Sequence, residues 1–102
     1  MEKKMATKIL KLISGEEIVA DITVGKEEYT VQKPFHLSMA RDPIKPDGDL
    51  QLALFPYAPY VQDHTLHISK SHVIWIEDSH ASMIKDYARA LSALSITDVN
   101  VK

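Results

Sequence analysis

Apolar and polar positions alternate from the start of the chain. In "TKILKLI", Thr7 to Ile13, Ile9, Lys11 and Ile13 share one parity while Leu10 and Leu12 share the other. Short length and β-branched residues predict a strand rather than a helix. Ser14-Gly15-Glu16-Glu17 then reads as a turn in which Gly15 can take positive φ without steric cost. Alternation resumes in "EIVADITV", Glu17 to Val24, with Ile18, Ala20, Ile22 and Val24 on one face and Asp21 and Thr23 on the other. The two runs predict a hairpin.

A second turn, Gly25-Lys26-Glu27-Glu28, leads into "YTVQKPFHLSMA", where Tyr29, Val31, Phe35, Leu37 and Met39 share a parity. Pro34 interrupts this run and cannot donate to a ladder, so it belongs at a bulge, a bend or an edge. "RDPIKPDGD", with two prolines and a glycine, reads as a loop. "LQLALF", Leu50 to Phe55, is a strand stopped by "PYAPY". "HTLHIS" and "HVIWIED" read as two short strands joined at Ser69-Lys70-Ser71, the second too apolar on both faces for an exposed edge.

Helical spacing is confined to the tail. Ile84, Tyr87, Ala88, Leu91 and Leu94 recur every three or four residues, predicting a helix from about Ser79 to Ser95 with Asp78 or Ser79 as N-cap. Asp86 and Arg89 fall on the opposite face. Clustered strands with one segregated helix predict a mainly β domain, a small antiparallel barrel or strongly bent sheet with a helical appendage. The barrel spans about residues 7–77 of a single 1–102 domain.

Composition narrows the functional classes. The chain has 102 residues, 25% charged and 45% hydrophobic, the balance of a folded domain with one modest core. The formal charge of −2 argues against a surface that is basic throughout, while leaving room for a local basic patch repeated by symmetry. Without cysteine there are no disulfides, thiolate metal sites or cysteine nucleophiles. No apolar run approaches the ~20 residues of a membrane span, and "MEKKMATK" leads into no long apolar segment, so a soluble cytoplasmic protein is expected.

Several chemistries can be weighed against plainer readings. His64 and His67 lie three apart on what reads as a strand, which points them to opposite faces and makes a poor chelate. His72 and His80 flank the last strand. No metal and no cofactor are therefore expected. Glu16 and Glu17 are explained by a solvated turn, and no phosphate loop, nucleophile elbow or His-Glu-x-x-His pattern is present, so no catalytic residues are assigned. Phe55, Tyr57 and Tyr60 in "LFPYAPY" fit a barrel core first, a protein interface second and base stacking third. The helix has a polar face of mixed charge, unlike a membrane-surface helix.

These segments resemble the Sm and Sm-like (LSm and Hfq) family. "KLISGEEIVADI" is similar to the family's opening strand pair, "YTVQKPF" sits where its third strand follows, and "ISKSHVIWI" resembles its short fourth strand, tight turn and fifth strand. The likeness covers roughly Thr7 to Glu77 and is strongest to short Sm-like proteins of bacteriophages and marine viral sequences. It implies a five-stranded, SH3-like, strongly bent barrel and a non-enzymatic homo-oligomeric ring. In such rings the free edges of the fourth and fifth strands join neighbouring subunits.

The resemblance also implies single-stranded RNA binding near a pore, without a small-molecule substrate. Lys70 falls at the second position of the two-residue signature, where Hfq carries a lysine, and Ser69, Thr30 and Tyr29 are its neighbours in the expected site. The chain departs from the family at Lys26 and Thr30, where RNA-contacting Asp and Asn are expected, and at Ser69-Lys70, where many members carry Arg-Gly. Its helix follows the barrel rather than preceding it. The alternative is a structural or protein-interaction oligomer that lost RNA recognition, with Phe55, Tyr57, Tyr60, Val73 and Trp75 as interface candidates. An enzyme would need a pocket joining His72 to Glu77 or Asp78.

Overall fold

The computed structural model describes residues 5–41 and 51–99. Among the described residues six strands form one antiparallel sheet, and a single α-helix follows them. They are β1 (Ala6–Leu12), β2 (Glu17–Val24), β3 (Glu28–Ala40), β4 (Gln51–Pro56), β5 (Thr65–Ser69), β6 (Val73–Asp78) and α1 (Ala81–Val99). The hydrogen-bonded order is β4-β3-β2-β1-β6, with β5 also on β3. The proline-rich loop predicted after Ala40 lies, but for Arg41 and part of its flanks, outside the described residues.

The first hairpin forms as its pattern predicts. Lys11 pairs with Glu17 at its mouth, the Gly15 N–H donates to the Leu12 carbonyl at 2.8 Å, and Gly15 takes φ 106°. Because no atom lies within 4 Å of a Cβ built there, a side chain would meet backbone strain rather than a clash. β1 ends at Leu12, one residue before the predicted boundary, and Ile13 instead donates its N–H to the His72 carbonyl at 2.9 Å.

Alternation along β1 and β2 supplies two cores on opposite faces of the sheet. Leu10, Leu12, Ile18, Ala20, Ile22 and Val31 form the first, against which Tyr29, Leu66, Ile68, Val73 and Ile76 pack. Val19, Phe35, Met83 and Tyr87 form the second, beneath the helix, with Ile9, Leu37 and Leu54 beside them. Full burial of each Leu, Ile or Val side chain contributes about 1.5–3 kcal/mol.

β3 departs from the simple period-two reading. Tyr29 and Val31 serve the first core while Phe35 and Leu37 serve the second, although all four share a sequence parity. The reason is a β-bulge: Val19 pairs with Phe35 and Asp21 with Gln32, so Lys33 and Pro34 together oppose Ala20. The extra residue flips every later side chain to the other face. Pro34 therefore occupies one of the positions its missing N–H allows. The thirteen-residue strand also pairs end to end with two partners, β5 along residues 28–32 and β4 along residues 35–40. Six strands form, as the pattern predicts, where the family resemblance implies five.

The last strand contradicts one expectation. Among the described residues β6 pairs with β1 alone and stands at the end of the strand order, an edge despite its apolar sequence. Ile74 is the extra residue of a second bulge, since Val73 pairs with Leu12 and Trp75 with Lys11. Ile74 is 57% exposed and Trp75 37%. A bulge is one of the devices that blunts an open edge.

The helix begins two residues later than predicted. Neither expected N-cap residue performs that role: Asp78 ends β6 and pairs with Lys8 at 2.5 Å, and the shielded Ser79 hydroxyl has no partner among the described residues. The first helical bond runs from the Ile84 N–H to the His80 carbonyl. The buried stripe is Met83, Tyr87, Ala90 and Leu91, whereas Ile84 is 41% exposed and Ala88 faces solvent. Side-chain hydropathy pointed to Ile84, but helix rotation is set by Tyr87, whose ring meets Phe35 edge-on at 5.8 Å. The Leu94 side chain lies outside the described residues. Asp86 and Arg89 pair at 3.5 Å on the exposed face, as the pattern predicts.

Tyr87 also binds the bulge. Its hydroxyl donates to the carbonyls of Lys33 at 2.9 Å and Gln32 at 3.3 Å. Burial, reinforced by the charge of Asp21, pushes its phenol pKa well above the ordinary value, so the donor proton is firmly held. Tyr87→Phe keeps the ring contact and removes the bonds; an expected loss of about 1 kcal/mol is measured by urea unfolding. The raised folded-state pKa means that Tyr87 stabilises the fold fully below its unfolded value. That contribution declines as pH rises above about 10, and the Phe variant should lack this component.

Candidate nucleic-acid interface

The β3–β5 ladder and the turn after it bring the four candidate contact residues to one end of the sheet, with Lys70 over Tyr29 while alternation points Thr30 to the opposite face, against His67. Glu28 pairs with Ser69, Tyr29 with Ile68 and Thr30 with His67. Lys70 opens the 3₁₀ turn Lys70–His72, its N–H donates to the Glu27 carbonyl at 3.0 Å, and its Nζ lies 5.6 Å from the Tyr29 ring centroid. Ser69 precedes this turn and accepts from the Ser71 N–H at 3.3 Å, while the two hydroxyls lie 2.9 Å apart. The turn thus holds a cation over an aromatic ring, with hydroxyl groups beside it.

Acidic and imidazole groups complete this end of the ladder. His67 Nδ1 lies 3.1 Å from Glu28 and 3.5 Å from the Thr30 hydroxyl. In the sequence His67 stands out only as a metal-ligand candidate three residues from His64. His64 instead precedes β5, in a turn with φ 52°, rather than within a strand. Among the described residues, no three His, Asp or Glu side chains gather to hold a metal ion. The acid at Glu28 was missed because its significance depends on the cross-strand register, which periodicity does not report.

The interface candidates divide. Tyr57 and Val73 pack against the first core. Phe55 is half exposed, opposite His36 on β3, and Tyr60 is 87% exposed. Trp75 faces a shallow hollow with Ile9, Glu77, Asp78 and His80. His72 lines a different cavity, so the described geometry does not join it to Glu77 or Asp78.

That larger cavity has a volume of about 630 Å³. It lies between the end of β1, residues 57–61 and β5, with Tyr57, Tyr60, Leu66, His67 and Ile68 among its walls. The connection beside it carries left-handed backbone at Ala58, Asp63 and His64, a concentration of strain of the kind found around binding sites. Burial, then the nearby charge of Glu16, raises the Tyr57 phenol pKa and favours its protonated, donating form. Glu16 itself accepts from the Ser14 hydroxyl, which lowers its carboxyl pKa; this solvated turn gives it a local structural role.

Lys70 can be removed without dismantling the fold, because its side chain carries one partly exposed cation–π contact. Lys70→Ala should lower stability by no more than about 1 kcal/mol, read by urea unfolding with an unchanged circular dichroism spectrum.

No helix among the described residues is long and apolar enough to cross a membrane. Compared with known proteins, the chain matches no protein-family model and no curated protein sequence.

Proposed function

We propose that the protein is a ring-forming Sm-like domain that binds single-stranded RNA through the Lys70 cluster. The observation carrying this reading is the Lys70 ammonium held 5.6 Å from the Tyr29 ring at one end of the β3–β5 ladder, where Ser69 and Thr30 also lie. The barrel reading draws support from the strand order. β5 and β6 occupy opposite ends of the path through β3, β2 and β1, yet only the turn Lys70–His72 separates them, so the sheet curls around the first core.

The same edges support the proposal of ring assembly. Among the described residues β6 has an unpaired side with Ile74 and Trp75 exposed, and β5 pairs only with β3. Head-to-tail pairing of β6 with the next subunit's β5 would cover both edges and close by rotation. The Lys70 turn joins these strands, so assembly would repeat its cation around the ring and draw in phosphates despite the acidic net charge. The same exposed apolar edge favours a second reading, a protein-interaction oligomer without RNA recognition.

Fluorescence anisotropy with short U-rich and A-rich RNA separates these readings. Binding should weaken with added salt, and Lys70→Ala should weaken it further. Removal of the acid beside the cluster in Glu28→Gln should tighten binding roughly threefold. An intact oligomer that binds neither RNA leaves the protein-interaction reading.

A further inference from the structure

We propose that the 630 Å³ cavity receives a base of the RNA strand whose phosphate is held near Lys70. This inference rests on the RNA reading above and names a second contact surface for it. The two surfaces are continuous through His67, which lines the cavity and also contacts Glu28 and Thr30 in the polar cluster. The volume lies within the range of small-molecule sites.

The walls select for an uncharged planar ring. Among the described residues lining the cavity there is no lysine, arginine, aspartate or glutamate, so a phosphate gains no direct ion pair there. Leu66 and Ile68 offer apolar surface already fixed against the first core. Tyr57 is fixed twice, by the same core and by its N–H, which donates to the Pro34 carbonyl at 2.9 Å. Tyr60 differs: at 87% exposure its ring supports little of the fold and presents a face for stacking. His72 also lines the cavity and brings an imidazole to hydrogen-bond a base edge, while the His67 imidazole is turned toward Glu28 and Thr30. The charged backbone and neutral base of a nucleic acid match this division between the Lys70 cluster and the cavity.

The test uses the full-length protein labelled with nitrogen-15. Titration with adenosine or uridine should shift the amides of Ile13, Tyr60 and His67, whereas tripolyphosphate should shift Lys70 and its neighbours. Tyr60→Ala should weaken A-rich or U-rich RNA binding about tenfold, and Tyr60→Phe should retain it. Wild-type-like RNA affinity in Tyr60→Ala, alongside weakening by Lys70→Ala, overturns the cavity assignment and leaves the RNA function intact. Absence of RNA binding by the wild-type protein overturns both. A loss of oligomeric mass in Tyr60→Ala, with RNA affinity per subunit unchanged, identifies the cavity as a subunit contact and also overturns the assignment.

Discussion

The bulge at Lys33–Pro34 is the constraint on which the architecture depends. A regular thirteen-residue strand would point Tyr29, Val31, Phe35 and Leu37 to one side and leave the opposite core without its largest sheet-borne ring. One extra residue divides β3 between both cores and both partner strands. Lys33 adopts φ 52° there, an unfavourable conformation for a side chain with a Cβ. Neighbouring groups hold it: Tyr87 binds the carbonyls of Gln32 and Lys33, and the Tyr57 N–H binds that of Pro34. A single local irregularity therefore anchors the helix on one face and the aromatic bend on the other.

This arrangement positions the candidate site. The half of β3 before the bulge is paired with β5, which fixes Tyr29 and Thr30 opposite Ile68 and His67. The short turn after β5 then places Lys70 above Tyr29 while starting β6 toward β1. On the other side, the bond from Tyr57 to Pro34 fixes the bend that walls the cavity. Cation, hydroxyls, acid and aromatic groups are thus held by backbone bonds rather than by long, freely rotating loops. Such preorganisation limits the ordering cost of binding.

The hairpin, the turn at Lys70 and the terminal helix were legible because each has a strong local signal: period-two alternation, turn residues or helical spacing. The placement of Lys70 beside Tyr29 was also expected, although only through the family resemblance. Other features depend on nonlocal geometry. Pro34 signalled an irregularity without revealing that Phe35 would change faces, and the apolar composition of Val73–Asp78 argued against the edge position that only the family resemblance implied. Ile84 looked more suited to the helix core than Met83, but the contact between Tyr87 and Phe35 selected the other rotation. Glu28 and His67 became a pair only once β3 and β5 were in register.

The account joins a curled sheet, two open strand edges and a cationic turn into one assembly. In the proposed ring, the edges are buried in solution and the Lys70 clusters are repeated around it. Native mass spectrometry at neutral pH tests this most directly. The account predicts a discrete closed oligomer of about five to eight subunits that retains its mass on dilution. A monomer across the same concentration range would contradict it.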